Sequence, residues 1–137
     1  MSIEEAWRAL AYAREEFERF KENRDPLLLR DACEKAWLAV LLATDLLLVR
    51  SGVGKPSSYA ERKAMLRRLV AGRAELAELG LDDKFYARAY KLHVLGFHEG
   101  ALDPEDLEEE LRKAEGYLRI VESLLKGCEW PSGIGDR

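Results

Sequence analysis

At 137 residues with a formal charge of −4, the chain fits one domain, and a globule of this size hides roughly two-thirds of the surface of its unfolded chain. A composition 47% hydrophobic and 35% charged excludes a disordered or low-complexity protein, and the acidic balance argues against one that holds nucleic acid by bulk positive charge. The longest apolar run, 36–49, is interrupted by Thr44 and Asp45 and is shorter than the ~20 residues of a membrane span.

Ser2 and Glu5 have the spacing of a capping box, and Ile3, Trp7, Leu10, Phe17 and Phe20 then recur on one face, which predicts a first helix to about Asn23. Asp25-Pro26 is an N-cap followed by a first-turn proline, and Gly52 ends the apolar pattern, so a second helix is expected over about 26–50. This helix is apolar around nearly its whole circumference, which calls for cover on all sides, either from the other helices or from a second subunit; a homodimer is expected. Ser58 with Glu61 opens a third helix marked by Met65, Leu66, Leu69, Leu76 and Leu79 and stopped by Gly80. Asp82 or Asp83 is the expected cap of a fourth, running through Phe85, Ala89, Leu92 and Phe97 to Gly100. Asp103-Pro104 opens a fifth, lined by Leu107, Leu111, Leu118, Val121 and Leu125 and closed by Gly127. No segment has the period-two pattern of a strand, so the expectation is an all-α antiparallel bundle of about five helices over 1–127, with a tail over 128–137 from which Trp130 docks on the bundle.

Cys33 and Cys128 lack the companions of a metal site and are expected as free thiols. The opening MSIEEAW carries acids where a secretory signal carries bases, so a cytoplasmic location is expected. The absence of glutamine, with one asparagine, one threonine and abundant Glu, Arg and Leu, is a bias of proteins from hot environments. Charge is unevenly spread. Between Arg50 and Arg73 there are seven basic residues against the single acid Glu61, and Arg62, Lys63 and Arg67 are the candidate phosphate or RNA contacts within that run. The plainer expectation is that this segment packs beside the acids at the start of the last helix, 103–110, in an ion-pair network.

Neither a phosphate-binding glycine loop nor a serine triad is present in the sequence, and no metal or cofactor is expected. The run RAYKLH, 88–93, leaves one arginine and one histidine that suit metal-independent RNA cleavage. Attack of a 2′-hydroxyl on its neighbouring phosphate needs a proton-transfer group, His93, and a fixed cation for the developing charge, Arg88. Five steps of about 100° set these side chains roughly 140° apart on a straight helix, so convergence requires a helix distortion or a second subunit. Otherwise His93 is a hydrogen-bonded core residue and Arg88 an ion-pair partner.

The segments DACEKAW (31–37), RKAMLRRL (62–69) and YARAYKLHVLGFHEGAL (86–102) resemble the second, third and fourth helices of the HEPN superfamily, particularly its archaeal paREP-like branch. The resemblance covers roughly residues 3–126. It implies a helical bundle, dimerisation and, in many relatives, toxin- or defence-type endoribonuclease activity from an R-x4–6-H motif whose matching positions are Arg88 and His93. It also implies an alternative, a non-catalytic module that binds a nucleotide, RNA or a protein such as a nucleotidyltransferase-type partner.

Overall fold

The computed structural model describes residues 2–127, and within them every regular element is helical. The elements are α1 (Ile3–Asn23), α2 (Pro26–Arg50), α3 (Tyr59–Ala71), α4 (Ala74–Leu79), α5 (Leu81–Arg88), a π-helical segment (Ala89–His98) and α6 (Pro104–Gly127). The expected capping of the first two helices is present: Glu5 accepts from the Ser2 amide at 3.1 Å, and Asp25 accepts from the Leu27 amide at 3.0 Å ahead of Pro26. Cys128 and Trp130 lie outside the described residues.

Two of the five expected helices are divided. The third breaks at Gly72 and Arg73, where Arg73 is extended (ψ 116°), giving α3 and α4. The fourth starts two or three residues earlier than expected. Gly80, at φ +63°, is at once the last cap of α4 and the first of α5, a left-handed conformation that glycine adopts without steric cost. Past Arg88 the helix widens into a π register, in which backbone bonds run between residues five apart, as from the Glu99 amide to the Val94 carbonyl at 3.0 Å.

α2 is the central element. It packs most extensively on α1 and also contacts α6, the π segment, α3 and α5. Its buried residues, among them Ala32, Cys33, Ala36, Ala39, Val40, Ala43 and Leu47, point to several sides, as its all-round apolar sequence requires. An open strip remains, with Leu38 and Val49 exposed and Leu41 and Leu42 half-buried. The one polar pair in this centre is satisfied: Thr44 Oγ1 donates to the Val40 carbonyl at 2.8 Å and lies 2.6 Å from the Tyr117 hydroxyl, whose pKa burial raises.

Two contacts hold the C-terminal half of the π segment against α2. At Gly96 the backbones approach so closely that an added Cβ would stand 2.5 Å from Cys33 Sγ, so only glycine fits. One turn before Cys33, the Arg30 guanidinium donates to the carbonyls of Phe97 and His98, both at 2.9 Å, satisfying acceptors that the end of any helix leaves open.

α3, which carries Arg62, Lys63 and Arg67, does not contact α6, so these residues do not pack as a network with the acids of the last helix. Arg62 of α3 forms a two-point pair with Asp45 of α2, while Glu115 of α6 bonds Arg14 of α1, Glu108 approaches Lys21, Glu109 pairs with Arg112, and Glu110 pairs with Arg88. No helix of the described residues is long and apolar enough to cross a membrane.

Candidate functional site

A surface cleft of about 590 Å³ opens between α2, α3, α5 and the π segment. Its size lies within the range of small-molecule sites. α2 contributes Glu34, Trp37 and Leu41, which at i, i+3 and i+7 share one face; α3 contributes Tyr59 and Arg62; Tyr86, Ala89, Tyr90, His93 and Val94 follow from α5 onward. Trp37 forms the inner wall, its ring 5.2 Å from that of Phe85 and 6.5 Å from Tyr59. Tyr59 and Tyr90 stand at the mouth, 45% and 55% exposed. The Tyr86 hydroxyl is buried in the wall without a hydrogen-bond partner.

One end of the cleft is polar. His93 Nδ1 lies 2.9 Å from Glu34 Oε1, and His93 Nε2 lies 3.1 Å from His98 Nε2. A carboxylate only accepts, so His93 Nδ1 carries a proton to Glu34, and in the neutral ring Nε2 is left as acceptor for the N–H of His98. The three groups make a relay running from α2 to the end of the π segment, with the His93 side chain 34% exposed. The π register creates the last link: residues five apart diverge on an α-helix, whereas here the two imidazoles meet edge to face at 4.4 Å. His98 is exposed yet bonded to His93.

Arg88 does not join this group. It is the last residue of α5, before the register widens, and it points to α6, where Nε donates to Glu110 Oε1 at 2.6 Å and Nη2 reaches Oε2 at 3.3 Å. Both partners are buried, at 5% and 1% exposure. Arg88 borders a different cleft of about 540 Å³, with Lys84, Lys113 and Tyr117 among its lining. The distortion that convergence with His93 required is present, but it lies on the wrong side of Arg88 and brings His93 to His98 instead. A second subunit would carry its own Arg88 in the same buried pair.

Of the three candidate RNA contacts, Arg62 lines the aromatic cleft with its guanidinium engaged by Asp45 at 2.5 and 2.9 Å, and the Lys63 ammonium lies over the Tyr86 ring at 5.4 Å. Arg67 is exposed one turn further along α3. Glu34, Trp37 and Tyr90, which carry much of the site, were not singled out from the sequence as site residues. Their signal was the spacing of Glu34 and Trp37 on an otherwise apolar helix and the tyrosine inside RAYKLH.

Fold and site together define an all-helical protein with an aromatic, carboxylate-ended cleft beside a π-helical segment, and no group of three or more metal-ligating side chains occurs among the described residues. The chain belongs to the archaeal PaREP1/PaREP8 family, whose model matches residues 2–118. Comparison with curated proteins yields no significant match, and comparison with solved structures yields none either.

Proposed function

We propose that this protein is a HEPN-like binding module, and that its aromatic cleft receives the flat ring of a nucleotide or of an RNA base. The observation that carries this is the lining itself: two exposed tyrosine rings at the mouth, Trp37 behind them, and a polar end at Glu34 and His93. Stacking of a base on an aromatic side chain is worth about 1–3 kcal/mol, so removing one ring should weaken binding by about 5- to 150-fold. The test is titration of the protein with nucleosides and short single-stranded RNAs, followed by calorimetry, with Tyr90→Ala as the comparison. Binding that Tyr90→Ala weakens supports the module; no measurable binding of any ring-bearing ligand overturns it.

A second reading, a metal-independent endoribonuclease acting as a homodimer, is favoured by one observation: His93 is about one-third exposed at the cleft and oriented by Glu34, as a general base is. Against it stands the committed state of Arg88. Cleavage of RNA in the presence of a chelator, abolished by His93→Ala, would favour the enzyme over the module. The open strip at Leu38, Leu42 and Val49 is the proposed contact for a second copy, and light scattering reads the mass.

A further inference from the structure

The groups at the cleft differ in what they have left to offer a ligand. Arg62, the one arginine or lysine of its lining, has two guanidinium nitrogens on Asp45, so its charge is compensated within the protein. A phosphate entering at the polar end would meet the Glu34 carboxylate, which repels it at short range, while the Lys63 ammonium is held over the Tyr86 ring at 5.4 Å. The recognised portion of a nucleotide is therefore its ring, with the phosphate left toward solvent.

Glu34 is the group that can tell rings apart. One of its oxygens accepts from His93, its side chain is 38% exposed, and each carboxylate oxygen has two acceptor positions. Acceptor capacity thus remains on both oxygens. A carboxylate with both oxygens available pairs best with two adjacent parallel donors, the arrangement that makes arginine–carboxylate forks strong. Among the common bases only guanine offers two neighbouring donors on one edge, its ring N1–H and its 2-amino group. Adenine and cytosine each place a ring-nitrogen lone pair beside the amino group, and uracil flanks its single N–H with two carbonyl oxygens. Those lone pairs would face the second carboxylate oxygen.

We infer that the cleft selects guanine, with the base stacked on the tyrosines at the mouth and its N1–H and 2-amino edge donated to Glu34. This rests on the binding reading above and adds the identity of the ring. The discrimination expected from one two-point contact is about tenfold or more between guanosine and the other nucleosides.

The test is calorimetric titration of the intact protein with guanosine, adenosine, cytidine, uridine and inosine, all free of phosphate, and with a linear polyamine as a control for cation capture by rings and carboxylate. Guanosine should bind tightest, inosine, which lacks the 2-amino donor, should fall between guanosine and adenosine, and Glu34→Gln should remove the preference. Glutamine keeps the bond from His93 through its amide oxygen, so the variant retains the relay while replacing one acceptor with a donor. Tyr90→Ala should weaken all five nucleosides together. Equal binding of the five would overturn the guanine assignment and leave the base-binding module standing. Binding of the polyamine alone, or of nothing, would overturn both.

Discussion

Replacing Arg88 by alanine should unfold the protein more readily rather than merely silence a site. The substitution strands the Glu110 carboxylate, 1% exposed, with Lys91 and Lys113 as its remaining cations at 4.0 and 3.9 Å. Breaking a buried ion pair by removing one partner costs about 3–5 kcal/mol. Both lysine side chains are nearly half exposed and can swing toward the carboxylate, so the low end, about 3 kcal/mol, is expected. With an unfolding entropy of about 2.1 cal/mol/K per residue, a chain of this length should lose about 10 °C in Tm. The double variant Arg88→Met, Glu110→Leu removes both charges and should lie within about 1 kcal/mol of the native protein or above it, since apolar replacement of a buried pair is often neutral or stabilising. Denaturant and thermal unfolding of the three proteins measure this. An Arg88→Ala variant within about 3 °C of native would refute the structural role. The double variant also separates stability from catalysis: any ribonuclease activity should survive in it, and its loss from a stably folded double variant would return Arg88 to the chemistry.

Gly96→Ala should destabilise by about 1–3 kcal/mol, because the new methyl overlaps Cys33, and Cys33→Ala should recover part of the loss in urea unfolding of the pair. In a Cys128→Ser background Cys33 should be inert to a thiol reagent at pH 8 and react on unfolding. Burial first, then Glu110 and Glu34, push its pKa up to about 12, so the stability that its neutral thiol contributes is full below the unfolded value near 9 and is lost as pH rises toward 12. Hydrogen bonds from Arg14 and then Arg119 hold the Glu115 carboxyl below its ordinary value of 4.5. Its contribution is therefore present above that pH and is lost on acidification. The stability gap between native protein and Arg14→Ala should narrow from pH 6 to pH 3.5, and an unchanged gap would contradict the assignment.

The helices with chemical punctuation were legible from sequence: α1, α2 and α6 begin at Ser2, Asp25 and near Asp103-Pro104 because side-chain caps and first-turn prolines act locally. The break between α3 and α4 was not, although Gly72 stands at it. Leu69 and Leu76 are seven apart, a spacing that keeps an apolar stripe aligned whether or not the backbone between them stays helical. The start of α5 was misjudged for a related reason. Asp82 and Asp83 have the chemistry of caps, but Gly80 already turns the chain, and the Asp82 side chain bonds the neighbouring Asp83 amide instead.

The π segment explains why the candidate pair could be found but not assembled from sequence. Hydrophobic periodicity over 89–98 suits an α-helix, and nothing in it marks a change of register to residues five apart. What holds that register is tertiary, the close approach at Gly96 and the two carbonyl bonds of Arg30, and both depend on a helix more than fifty positions away. The R-x4-H spacing was drawn on a uniform helix, yet the structure divides it between two helical registers. The arginine keeps the α direction and is neutralised by Glu110; the histidine takes the π direction and gains Glu34 on one nitrogen and His98 on the other. Within the π segment it is thus the imidazole of His98, five residues on, and not the guanidinium of Arg88 that meets His93.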